Sequence, residues 1–275
     1  MEIGVYTFAD IATHPVTKKA ITPHQRLINL MEEINLAEQA ALDVFAVGEH
    51  HRPDYAVSAP AVVLGAAAVK TKHIKLSSAV TVLSSDDPVR VFQQFATVDL
   101  LSGGRTEIIA GRGSFVESFL LFAYDLKDYD KLFSEKLEML LQLNESEIVT
   151  WKGKRTQTVN NVGVYPRPYQ KKLPIWIGVG GTPESVVRAA EYGLPMALAI
   201  IGGLPARFAP YAQLYREAYQ KAGHDMKDLK LGINSHVYLA DTSQQARDEF
   251  YPPYGFCNGT NRKRTWMAWN EPSAI

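Results

Sequence analysis

Short β-branched runs alternate with longer helical patterns along nearly the whole chain, and this alternation constrains the fold more than any other feature. Glu2–Phe8, Asp43–Gly48, Ile74–Leu83, Thr106–Ala110, Ile175–Val179, Met196–Ile200 and Lys230–Leu239 read as seven strands. Helical patterns lie between them at Pro23–Ala41, Ala59–Thr71, Pro88–Leu101, Tyr129–Asn144, Pro183–Tyr192 and Pro205–Ala222. Strands that take turns with helices pair in parallel, because each helix carries the chain back to the same end of the sheet. Thr22-Pro23 and Thr182-Pro183 mark two helix starts, with a hydroxyl at the cap and proline, which has no N–H to waste, at the first helical position.

Two stretches depart from this rhythm. Trp151–Pro174 holds Pro166, Pro168 and Pro174 among Lys and Arg residues and reads as a loop or small hairpin inserted before the fifth strand. A helix expected at Thr242–Phe250 is stopped by Tyr251-Pro252-Pro253-Tyr254, since proline lacks the donor that would continue the ladder. The remainder, GFCNGTNRKRTWMAWNEPSAI, shows neither strand alternation nor helical periodicity. The expected organisation is therefore a single domain over 1–254 followed by an atypical, poorly ordered tail over 255–275. That tail reads either as a flexible terminus or as an altered end.

Composition narrows the partners. Hydrophobic residues make up 46% of the 275 and charged residues 21%, enough for a sizeable core. Lys plus Arg and Asp plus Glu balance at 29 each, so no global field draws in nucleic acid or an anionic membrane. MEIGVYTF has no basic flank and reads as a strand, not a signal peptide, and no run of 18 apolar residues spans a bilayer. A cytoplasmic protein is expected. Cys257 stands alone, which excludes an intrachain disulfide and a cysteine-rich metal site.

Residues able to carry chemistry cluster just after the strands, at Glu49-His50-His51, Ser84-Ser85-Asp86-Asp87, Gly111-Arg112-Gly113, Gly178–Ser185 and Gly202-Gly203. Parallel strands send these segments to one rim, where a ligand mouth forms. Along the second strand Val44, Ala46, Gly48 and His50 share one face; their small size leaves room into which His50 would project, while His51 points the other way. Oppositely directed imidazoles with no H-E-x-x-H spacing do not share a metal ion, so none is expected. His50 is either a catalyst or a hydrogen-bonded structural residue. GVGGTPES follows an apolar strand and opens a helix, whose free amides at Glu184 and Ser185, with the Ser185 hydroxyl, suit a phosphate; the alternative is an ordinary capped helix. Arg112 is a cation for that phosphate or a surface arginine. The order G-x-G-x-x-G is absent, which argues against a nicotinamide-binding fold.

VGEHHRPDYAVSAP, TVLSSDDPVRVFQQFATVDLLSGGRTEIIAGRGSF, GVGGTPESVVRAAEYGLPMALAIIGG and INSHVYLADT, in that order on successive strands, resemble the bacterial luciferase-like flavin monooxygenase family from Met1 to about Tyr254. The resemblance implies a TIM-like parallel (β/α) barrel, here lacking the eighth βα unit that family members carry. It implies reduced FMN, supplied by a separate flavin reductase, acting with O2 on a small organic substrate. His50 would stand by the reactive carbon of the flavin. Arg112, Gly180, Gly181, Glu184 and Ser185 would hold its phosphate, and Ala79-Val80 would form a non-prolyl cis peptide beneath the ring. A non-catalytic flavin-binding protein with an incomplete barrel and a deazaflavin-dependent oxidoreductase remain alternatives on the same scaffold. The helix Ala59–Thr71, with Gly65 and Ala66–Ala68, could let a second copy approach as a homodimer, or could pack on its own barrel.

Overall fold

A computed structural model describes residues 1–11, 17, 19–202 and 204–262. The described chain divides into two compact units, Met1–Ile11 with Thr22–Asn234, and Ala12–Ile21 with Ser235–Ile275. The first unit carries the expected alternation as β1 (Gly4–Thr7), α1 (Pro23–Gln39), β2 (Val44–Val47), α2 (Pro60–Ala68), β3 (Lys75–Ser78), β4 (Thr81–Val82), α3 (Pro88–Ser102) and β5 (Thr106–Gly111). It continues through α4 (Glu117–Leu121), α5 (Tyr129–Glu145), β6 (Ile148–Trp151), β7 (Val159–Gly163), β8 (Ile175–Val179), α6 (Pro183–Glu191), β9 (Met196–Ile200), α7 (Ala209–Lys221) and β10 (Leu231–Ser235).

The main sheet runs β1-β2-β3-β5-β8-β9-β10, and β4, which follows β3 along the chain, also pairs with β5. Its pairs are parallel, with Tyr6 opposite Ala46, Ala46 opposite Ser77, and Ile109 opposite Trp176. The result is a nearly closed seven-strand parallel barrel wrapped by helices, in which β1 and β10 are the two edges. Val5, Tyr6 and Ile233 on those edge strands are exposed, as expected where no further strand among the described residues covers them. The stretch before the fifth main strand is an antiparallel hairpin of β6 and β7 that begins three residues earlier than the sequence suggests. Glu135 fastens its turn, accepting from the amides of Lys154, Arg155 and Thr156 at 2.8, 2.8 and 2.9 Å.

Two apolar layers hold the barrel. Most of the core, including Phe45, Leu76, Phe92, Phe95, Ile108 and Ile177, lies between sheet and helices. A smaller cluster fills the lumen with Ala46, Ala79 and Ile109, against which Val80, Trp176 and Ala197 pack. Along β2, Phe45 and Val47 belong to the first layer and Ala46 to the second, the two-residue period of a strand buried on both faces. Asp87 caps α3 by accepting from the amides of Val89 and Arg90, and Gly103 ends that helix in the left-handed region at φ 68°.

In the second unit α8 spans Ser243–Arg262 and continues through Pro252 and Pro253, where the sequence analysis stops it. Adjacent prolines remove two successive donors yet hold φ in the helical range, so the backbone path carries on past them. Tyr238 stacks on Phe250 with ring centroids 5.4 Å apart and donates to Glu249 at 2.7 Å. Of the tail expected at 255–275, residues 255–262 fall in this helix and 263–275 lie outside the described residues. No helix among the described residues is long and apolar enough to cross a membrane.

A Cβ added at Gly111 would fall 2.5 Å from Val80 Cγ2, whereas one at Gly180 would meet nothing within 4 Å. Gly111→Ala should therefore destabilise the protein by about 1–3 kcal/mol, as over-packing of a filled interior does, and Gly180→Ala by less than about 0.5 kcal/mol. Urea unfolding of both variants measures the difference; equal midpoints would show that the lumen has room the packing denies.

Candidate active site

The rim at the C-terminal ends of the strands is organised around Val80. Its side chain enters the lumen beside Gly111 and Gly178, at each of which an added Cβ would lie within 2.8 Å of a Val80 atom. The Ala79–Val80 peptide is cis, as the family resemblance implies. On the other side of this turn the Ala79 carbonyl and the Phe8 ring close over Gly48, where a Cβ would be 2.8 and 2.3 Å from them. The room that small residues on β2 leave is thus taken largely by Phe8, a neighbour contributed by the chain just beyond β1.

His50 packs on that ring at 4.8 Å and is flanked by Tyr55 at 4.3 Å and Phe115 at 4.8 Å. Its amide donates to the Val57 carbonyl at 3.0 Å, which fixes the backbone just past the strand. Burial among the aromatic rings, followed by the nearby Arg52 charge, pushes the imidazole down to about 4, so it is neutral at pH 7. His50 and His51 both line one cavity of about 290 Å³, with Arg52, Tyr55, Ala56, Ser58 and Leu121. Their neighbours are otherwise separate, as oppositely directed side chains require: His50 packs on Phe8, Tyr55 and Phe115, whereas His51 meets Glu49 and the Phe122 ring. Glu49 holds His51 in place. Its buried carboxylate bonds His51 Nε2 at 2.8 Å through one oxygen and accepts the Val82 amide at 2.9 Å through the other.

The turn Ser84–Asp87 has a structural explanation. Asp87 is the α3 cap, and the Ser84 carbonyl accepts at 2.8 Å from Lys136 Nζ, which sits 3.9 Å over the Tyr124 ring. Burial lowers that ammonium to about 8, opposed by Asp86 and Asp87. Arg52 is also fully engaged, by Asp54 at 2.9 and 3.1 Å and by Glu117 at 3.4 Å.

A second cluster lies where β5 and β8 end. Arg112 Nη2 donates to Thr182 Oγ1 at 2.7 Å, and Thr182 Oγ1 donates to Ser185 Oγ at 2.9 Å. Thr182 precedes α6 but does not cap it with its side chain, because the hydroxyl is committed to this chain of contacts. The Ser185 amide donates to the Thr182 carbonyl at 3.1 Å, so it closes the first turn of the helix and is not left over for an anion. Gly181 turns the chain at φ 123°, a conformation that L side chains rarely adopt, and its carbonyl accepts from Tyr211 at 2.7 Å. Glu184 is exposed, and its carboxylate faces solvent on the first turn. Three neighbours escape a reading based on strand ends. Tyr129 lies under the Arg112 guanidinium at 5.0 Å, Asp130 pairs with Arg112 Nη1 at 2.6 Å, and Arg188 on α6 holds Nη1 buried without a hydrogen-bond partner. Burial, and then the like charge of Arg112, hold the Arg188 guanidinium below its usual range, with Asp130 opposing.

Among the described residues no group of three His, Cys, Asp or Glu side chains could hold a metal ion. The site residues named from sequence thus lie along one rim through direct packing, from His50 over Phe8 and Gly48 to Ala79–Val80, Gly111, Arg112, Thr182 and Ser185; the Glu184 side chain stands outside it. His50 should titrate near pH 4 by NMR. Its folded pKa lies below the 6.5 of a free imidazole, so between those values the unfolded chain binds the proton more tightly and stability falls as pH drops through that window. His50→Gln should remove this part of the acid sensitivity, and a His50 resonance titrating at 6.5 would contradict the burial argument.

Comparison with known proteins places this geometry. The sequence profile of the family described as luciferase-like monooxygenase matches residues 1–272. The alkanal monooxygenase alpha chain of Photobacterium leiognathi is 27% identical over 213 residues, 75% of this chain and 58% of that one. The chain thus spans less than two thirds of that relative. The oxygenating constituent of 3,6-diketocamphane monooxygenase from Pseudomonas putida, solved in complex with FMN, superposes with a TM-score of 0.80 at 18% identity, covering 98% of this chain and 76% of that one. An F420-dependent secondary alcohol dehydrogenase, solved with an F420–acetone adduct, superposes at 0.70 and 21% identity over 84% of this chain and 68% of that one. With its profile matched from end to end of the barrel, the chain belongs to the luciferase-like monooxygenase family.

Proposed function

We propose that the chain is a flavin-dependent monooxygenase that holds reduced FMN on the strand-end rim and uses it with O2 on a small organic substrate. The observation that carries this reading is the continuous contact from the His50 ring to the Arg112–Thr182–Ser185 chain on one rim. The residues present fit a phosphate: Arg188 Nη1 is buried and unpartnered, and the Gly180 position is open. A solved relative of the same fold that carries FMN supports the choice of cofactor. Arg112, Arg188 and Ser185, with the backbone at Gly180, Gly181 and Glu184, would hold the phosphate, and Ala79 and Val80 would underlie the ring.

Bound reduced FMN would supply two electrons, so that one oxygen atom of O2 enters the substrate and the other leaves as water. The protein's own share is position and environment. His50, neutral at pH 7, would offer an N–H hydrogen bond without adding a buried charge. Phe8, Tyr55 and Phe115 pack on it and fix the ring's position for that bond. A separate cytoplasmic flavin reductase would provide the reduced FMN. The F420-dependent relative of the same fold favours a second reading, a deazaflavin-dependent oxidoreductase, and the edges β1 and β10, uncovered among the described residues, suit a third, a flavin carrier without turnover.

A homodimer through α2 and α3 belongs to the same proposal. Val62 on α2, Val69 at its C-terminal cap and Leu101 on α3 are exposed, and Gly65 keeps the surface between them low. Sedimentation at micromolar concentration should give twice the chain mass; a monomer would remove this element.

The decisive experiment is flavin titration of the purified chain followed by oxygen uptake with a supplied reductase. FMN should bind and riboflavin should bind more weakly. Arg112→Ala should cost FMN more than about tenfold in affinity while changing riboflavin little. His50→Ala should slow substrate oxygenation by about a hundredfold with FMN affinity nearly kept. Tighter binding of a deazaflavin, or turnover that His50→Ala leaves unchanged, would turn the assignment toward the alternatives.

A further inference from the structure

We infer that Asp130 is an internal competitor for the flavin phosphate, a carboxylate that keeps flavin affinity low by occupying the Arg112 guanidinium. The inference rests on the reading of Arg112 as a phosphate ligand. Arg112 is held in place independently of Asp130, by the 2.7 Å bond from Nη2 to Thr182 and by the Tyr129 ring beneath it. Its side chain is only 17% exposed, whereas that of Asp130 is 65% exposed. The two partners are therefore unequal: the guanidinium cannot leave, and the carboxylate can turn into water and recover its hydration at little cost. An exposed acid on a fixed, largely buried cation is the arrangement expected of a counter-ion that gives way to a better anion, rather than of a buttress that orients the cation.

The charge count around the cluster points the same way. Arg112 and Arg188 provide two positive charges, and Asp130 acts on Arg188 as well as on Arg112. It halves the formal charge at a place that would receive a group carrying about −1.5 to −2. Two arginines without this acid would bind such a group more tightly. The acid suits the site to a flavin that comes and goes, rather than to one retained through many turnovers.

Titration of the purified wild-type chain, Asp130→Asn and Asp130→Ser with FMN and with riboflavin, followed by fluorescence, tests this without reference to activity. Both variants should bind FMN about tenfold more tightly, which is roughly 1.4 kcal/mol, while riboflavin affinity stays within twofold. The gain should shrink at high salt. Asp130 lies in the first turn of α5, where an acid favours the helix, so the serine variant and a thermal melt separate any loss of fold from the binding effect. Unchanged or weaker FMN binding in a folded variant would overturn the inference and make Asp130 a buttress of Arg112. Equal tightening of FMN and riboflavin would overturn it also, since the effect would not lie at the phosphate. If wild-type protein fails to distinguish FMN from riboflavin, the phosphate reading itself falls, and the role of Asp130 falls with it.

Discussion

Val80 reaches the lumen only because β5 and β8 present glycine where it passes. Gly111 and Gly178 each lack the one atom that would collide with it, and the collisions, at 2.5 and 2.8 Å, are too close for neighbouring side chains to absorb. From that contact the rest of the rim follows. With Val80 inside, the Ala79 carbonyl and Phe8 close over Gly48, and Phe8 becomes the floor on which His50 rests. On the other side the same strand ends place Arg112 within reach of Thr182, so the His50 and Arg112 clusters are joined through one packed layer.

What could be read from sequence was whatever repeats along the chain. The strand and helix order was legible because parallel crossovers impose a regular alternation, and the glycines after β5 and β8 stood out because few other positions tolerate them. Lateral neighbours were not legible. Phe8 meets His50 across two strands, and Tyr129, Asp130 and Arg188 reach Arg112 from helices whose phase a single sequence leaves free. The bond between Glu49 and His51 was not legible for a different reason: the two-residue period puts both on one face but does not say which polar partner each takes. The glycine-rich turn before α6 is legible, but not where its amides go: the Ser185 amide closes the helix's own first turn and does not point to an anion.

The two halves of the rim use charge in opposite ways. Around His50 ionisation is suppressed: aromatic burial keeps the imidazole neutral, and Arg52 is matched by Asp54 and Glu117. Around Arg112 two guanidinium groups share one carboxylate, Asp130, and one guanidinium nitrogen of Arg188 has no hydrogen-bond partner. An aromatic face around a neutral imidazole beside an ionic cluster would, on the proposed reading, divide the work between holding a reacting group and holding a phosphate.

This division also bears on how the open edges affect the site. β1 lies beside β2, which leads to His50, whereas β5 and β8, which carry the Arg112 cluster, sit three strands or more from β1 and two or more from β10. An interior strand is held by ladders on both sides, and an edge strand by one, so opening begins at the edges. Phe8 immediately follows the edge strand β1, and it is the floor beneath His50. The His50 environment therefore depends on the less secured part of the sheet, and the Arg112 cluster, the proposed phosphate grip, on the best secured. Loss of β1 pairing would loosen His50 before it disturbed Arg112, so flavin capture would outlast the environment that gives the imidazole its neutrality.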